Sequence, residues 1–153
     1  MAVIVAYHFS VIPLSCSPVG DKAPEIVSEI LTNGADPNQP YQGLNGKEQT
    51  PWLVVLDYLR EADRRRWIAY YDTSEHGTSR LAVIISLFIQ HGTDPNGLLV
   101  ETKFDPSASA LEIITGISRK YAVPEFGRLR KVLIDKGALG REGYGILYQV
   151  YGT

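Results

Sequence analysis

The hexapeptide Asn33-Gly34-Ala35-Asp36-Pro37-Asn38 returns as His91-Gly92-Thr93-Asp94-Pro95-Asn96. A motif that recurs in register with its surroundings means that the fold is assembled from copies of one supersecondary unit. Such a chain shares its core between neighbouring copies, which points away from an enzyme built around a single pocket.

The register extends well beyond the hexapeptide. The positions eight, seven, four and three residues before Gly34 are Ile26, Val27, Ile30 and Leu31. Before Gly92 they are Ile84, Ile85, Phe88 and Ile89, and before Gly137 they are Leu129, Arg130, Leu133 and Ile134. Eleven residues before each glycine stand Ala23, Leu81 and Phe126. These offsets lie on one face of an α-helix. The spacing therefore predicts three helices that present the same face and stop at a glycine, which adopts the left-handed C-terminal conformation without a Cβ clash. Leu81 to Ile89 is apolar nearly all round, which predicts a central position for that helix.

The residues after each glycine predict a loop. Pro37 and Pro95 cannot continue a helix and bias Asp36 and Asp94 to turn or extended geometry. Asp and Asn side chains close turns onto nearby backbone groups. In the third copy the segment has degraded to Gly137-Ala138-Leu139-Gly140, as suits a terminal copy. A second kind of helix starts after each loop. Thr50-Pro51-Trp52-Leu53 combines an N-cap threonine with proline at the first helical position. Ser109-Ala110-Leu111-Glu112 has the spacing of a capping box.

These residues resemble ankyrin repeats. Ile30 to Asn38 and Leu87 to Asn96 are similar to the end of an ankyrin outer helix and its loop, and Thr50-Pro51-Trp52-Leu53 to the Thr-Pro-Leu-His start of an inner helix. Trp52 replaces the usual leucine, and Val54 breaks the His-x-Ala pattern. The resemblance covers residues 23–140, with 1–22 as an atypical first segment and 141–153 as a tail. It implies an all-α fold, a short solenoid of stacked antiparallel helix pairs with finger-like loops. Ankyrin repeats have a period of about 33 residues, whereas the glycines here are 58 and 45 residues apart. Longer inner helices, longer connections or both must take up the excess. Long-period repeats of this type resemble those of fungal proteins, where they often form the C-terminal part of larger chains, including NACHT-type NTPases. The first insertion, Arg60 to Asp72, reads as an extension of the inner helix on which Leu59, Trp67, Tyr70 and Tyr71 share a stripe, with Glu75-His76-Gly77-Thr78 as the turn that follows.

Composition narrows the functional classes. A length of 153 residues suits one domain of ordinary size. A net charge of −2 gives no electrostatic reason to expect nucleic acid or an anionic membrane. The lone Cys16 excludes an internal disulfide and a cysteine-based zinc site. Met1 to Val11 lacks a basic start and is too short to span a bilayer. The chain reads as intracellular, with a cytoplasmic location expected.

No candidate catalytic constellation emerges. Asp36 and Asp94 occupy equivalent loops, where turn formation accounts for both. His76 lies near Asp72 and Glu75 without a second His or Cys. His91 suits a helix C-terminus, and Cys16 has no evident activating base. Neither Gly43-Leu44-Asn45-Gly46-Lys47 nor Gly143-Tyr144-Gly145 forms a phosphate loop. No cofactor or metal is expected. Arg64, Arg65 and Arg66 with Trp67, Tyr70 and Tyr71 read either as an aromatic-basic patch for an acidic partner segment or as a solvated helix face with its aromatics packed inward.

The expected function is a non-catalytic protein-interaction module with another protein as partner. The ankyrin resemblance implies a concave binding surface formed by loop tips around Tyr41–Gln49 and Phe104–Ser107 and by inner-helix residues such as Tyr58. Candidate contact residues are Tyr41, Tyr58, Arg64, Arg65, Trp67, Tyr70 and Phe104. A structural or regulatory segment of a larger signalling NTPase is the alternative, and a small helical enzyme a remote one. The apolar start and the aromatic Tyr144–Tyr151 tail look like poor solenoid caps and suggest self-association through the repeat ends.

Overall fold

The structure, a computed structural model, describes residues 22–43, 46–70, 79–100, 102–103 and 106–140, with no side-chain description at 69 and 70. Helices dominate. In chain order the elements are α1 (Ala23–Thr32), β1 (Tyr41–Gln42), β2 (Glu48–Gln49), α2 (Pro51–Arg64), α3 (Trp67–Tyr70), α4 (Arg80–Gln90), β3 (Leu98–Leu99), β4 (Ala108–Ser109), α5 (Ala110–Lys120) and α6 (Pro124–Asp135). The fold is not purely α-helical as expected, because the finger-like loops carry two-stranded antiparallel hairpins. Tyr41 pairs with Gln49 in the first, and Leu98 with Ser109 in the second. The chain divides into two compact units, residues 1–94 and 95–153.

In the first unit, α1 and α2 pack on α4. Its core gathers Val27 and Leu31 from α1, Trp52, Val55, Leu56 and Leu59 from α2, and Leu81, Ile84, Ile85, Phe88 and Ile89 from α4. Most of the apolar circumference of α4 is thus buried, with Val83 and Leu87 half-buried along one side. The Trp52 ring stacks on Phe88 with centroids 6.0 Å apart. In the second unit α5 and α6 pack together through Ile114, Ile117, Phe126, Leu129 and Leu133.

The helix ends follow local chemistry. Gly34, Gly92 and Gly137 take φ of +89°, +83° and +84°. At each, the glycine N–H donates to the carbonyl three residues back and the next N–H to the carbonyl five residues back. Ala35 reaches Ile30 at 3.3 Å, Thr93 reaches Phe88 at 3.4 Å and Ala138 reaches Leu133 at 2.9 Å. All three loops therefore close the Schellman motif, whatever their side chains. At the helix starts, Thr50 Oγ1 accepts from Leu53 N–H at 3.2 Å and Ser79 Oγ from Ala82 N–H at 3.1 Å. Ser109 and Glu112 complete the reciprocal box, at 3.2 and 2.9 Å.

Two expectations need correction. The three glycine-terminated helices do not use one identical face. Val27 and Leu31 are buried in α1 while Ile26 and Ile30 are half-exposed. In α6 the pattern inverts: Leu129 and Leu133 are buried, Arg130 is exposed and Ile134 is 44% exposed. Only α4 buries all four positions. An apolar face spanning two rows loses water from both rows only where neighbours cover both sides. The inner helix also does not run through the insertion. It stops at Arg64, and Arg66 takes φ +60°. A short helix, Trp67–Tyr70, then restarts and buries Ile68. The left-handed residue redirects the chain, so the proposed stripe from Leu59 to Tyr70 is broken. The expected turn at 75–78 lies outside the described residues.

Candidate interaction surface

The recurrent loop has a function inside the fold that its side chains specify. Asp36 Oδ1 accepts from Asn38 N–H at 2.8 Å, closing the turn expected of it. Asn38 then reaches the next loop, 54 residues on. Its Nδ2 donates to the Gly92 carbonyl and its Oδ1 accepts from Asp94 N–H, both at 2.8 Å. In the second unit Asn96 does the same. Its Nδ2 donates to the Gly137 carbonyl at 3.3 Å and its Oδ1 accepts from Leu139 N–H at 2.9 Å. A carboxamide carries a donor and an acceptor on one plane, so it clamps a carbonyl and an N–H two residues apart. The receiving loop contributes backbone only.

Trp52 reinforces the first of these junctions. Its backbone N–H donates to the Pro37 carbonyl at 3.0 Å. Its indole N–H donates to the Asp94 carbonyl at 2.9 Å. A leucine at this place could fill the core but not make the second bond.

The candidate contact residues fall into separate environments. Tyr41, on the first hairpin, is half-buried, and burial pushes its phenol above the usual tyrosine range. Tyr58, on α2, is also half-buried. Arg64 and Arg65 are exposed at the end of α2, but both turn back onto Glu61. Arg64 Nη2 lies 2.6 Å from Oε1 and its Nε 2.8 Å from Oε2, and Arg65 shares Oε1. Hydrogen bonding from Arg64, above all, holds the Glu61 carboxyl below the usual glutamate range. The Arg65 guanidinium sits over the Trp67 ring, 5.0 Å from its centroid. Of the triple-arginine run, Arg66 alone makes no contact with a carboxylate among the described residues. One carboxylate, Glu61, therefore draws two of the three arginines back onto α2. The Tyr70 side chain and Phe104 lie outside the described residues.

Among the described residues no three His, Cys, Asp or Glu side chains come together as a metal site. Asp36 uses its carboxylate on its own turn, and His91 is exposed at the end of α4. His8, Cys16 and His76 lie outside the described residues. No helix among them is long and apolar enough to cross a membrane. Comparison with protein-family models, curated proteins and solved structures finds no match.

Sequence reasoning read Asp36 and Asp94 as turn formers but missed the inter-loop role of Asn38 and Asn96. Their signal was present. Asparagine recurs four residues after two of the three glycines, and the third copy has Arg141 there.

Proposed function

We propose that this chain is a non-catalytic protein-interaction module built as a short ankyrin-like stack of helix pairs. The observation that carries the reading is the asparagine clamp, repeated with the same atoms at Asn38 and Asn96. A recurring junction between consecutive loops suits repeats that draw stability from their nearest neighbours. Within the first unit such a scaffold holds the β1–β2 hairpin and α2 in fixed register, as a binding surface requires. On this reading Tyr41 and Tyr58 belong to that surface, where tyrosine supplies contact area at low entropic cost, and the chain works in the cytoplasm with another protein as its partner.

The test is site-directed photo-crosslinking in cells, with a benzophenone side chain at Tyr41 or Tyr58 and a control at exposed Gln90 on α4. A discrete protein adduct from the two tyrosine positions, absent at Gln90, is the expected result. Equal labelling at all three positions, or none at either tyrosine, overturns the reading.

A further inference from the structure

Charge is divided unevenly along the chain. Residues 1–94 carry seven Lys and Arg against eleven Asp and Glu, while residues 95–153 carry eight against six. In the second unit α6 carries three of the cations, Arg128, Arg130 and Lys131, with Glu125 and Asp135 at its two ends. Gly127, Arg130, Lys131 and Ile134 occur at spacings of three, four and seven, so they share one helix face. All four are exposed, and Ile134 keeps 44% of its surface in solvent. Among the described residues a Cβ at Gly127 would meet nothing within 4 Å, so they leave this position open to close approach. Among the described residues neither Arg130 nor Lys131 is ion-paired.

The first unit carries the opposite surface. A groove of about 530 Å³ runs between α1 and α4, with Pro24, Val83 and Leu87 in its apolar wall and Glu25 and Glu29 on it. The two carboxylates are one helical turn apart, and among the described residues neither is ion-paired. The lining holds no basic side chain.

We propose that the α1–α4 groove is the docking site for α6 of a second copy of this chain. Ile134 enters the apolar groove while Arg130 and Lys131 meet Glu25 and Glu29. Two exposed ion pairs alone contribute little, so the contact depends on the apolar insertion, with charge setting register and orientation. The two surfaces differ, so the association is heterologous and propagates head to tail or closes a ring. This contact stands independently of the partner surface proposed around Tyr41 and Tyr58.

The experiment is light scattering and sedimentation on the full chain across a concentration series, with charge-reversed variants. The wild type is expected to associate, and more weakly by about tenfold in 500 mM than in 50 mM NaCl, because salt screens exposed charges. R130E/K131E and E25K/E29K should each lose association at least tenfold, and their equimolar mixture should recover a 1:1 complex. I134S should weaken association with the charges intact. Circular dichroism confirms that each variant is folded, and the milder E29Q and K131Q serve where a double variant is not. A wild type that stays monomeric at several hundred micromolar in low salt overturns the proposal. So does association indifferent to charge reversal, or a mixture of folded variants that fails to pair.

Discussion

Replacing Asn38 by alanine tests the clamp most directly. The side chain makes two hydrogen bonds of 2.8 Å to the Gly92 carbonyl and the Asp94 N–H. Each is worth about 0.5–1.5 kcal/mol net, so N38A should cost about 1–3 kcal/mol. At roughly 2–4 °C per kcal/mol for a chain of this size, the melting midpoint falls by about 2–12 °C. N38D separates the two halves of the clamp. It keeps an acceptor for Asp94 N–H but turns a second oxygen toward the Gly92 carbonyl, so it should also destabilise. Q39A, at the exposed neighbour, serves as control and should change stability by no more than ~0.5 kcal/mol. Urea unfolding measures the loss, and amide hydrogen exchange locates it, because the Asp94 amide must lose protection in N38A. Stability of N38A within ~0.5 kcal/mol of wild type, or unchanged protection at Asp94, would refute the reasoning.

Other predictions follow from local geometry. Arg66 holds φ +60°, where a Cβ is unfavourable, so R66G should raise the urea midpoint, by about 0.5–1 kcal/mol in stability; a lower midpoint would mean that the Arg66 side chain makes a compensating contact. S109A removes a fully buried N-cap and half of a reciprocal box, and should lower stability by about 1–2 kcal/mol in the same assay. Glu61 titrates below its usual range because Arg64 and Arg65 bind its charged form. Its contribution is therefore present above the unfolded-state pKa and lost as pH falls through the folded one. E61Q should be less stable than wild type near neutral pH and converge with it in acid; a constant gap at all pH values would contradict this.

What could be read in advance was what is decided within a few residues. The N-caps at Thr50 and Ser109 and the left-handed glycines depend on side chains beside the backbone groups they serve. The break at Arg66 was not readable, because arginine has no preference for that conformation and tertiary packing of Ile68 overrides local propensity. Nor does periodicity say which side of an apolar face finds a neighbour, and so it could not tell Ile134, partly in solvent, from Ile89, which is buried. For the arginine run the sequence left two readings open, because composition does not reveal that Glu61 binds both Arg64 and Arg65. The groove between α1 and α4 joins residues some sixty positions apart and leaves no trace in any one segment.

The one-sidedness of the clamp has a consequence for how such chains diverge. The giving loop must keep an asparagine, while the receiving loop needs only a glycine turn that presents a carbonyl and an N–H. Residues Gly137 to Leu139 retain none of the Asp-Pro-Asn signature, yet they are held as the earlier loop is. Substitution can therefore erase the motif from the last unit of a series without loosening it, because what specifies that junction is written in the unit before. A census of such units by motif alone will stop one short of the units that the chain physically contains.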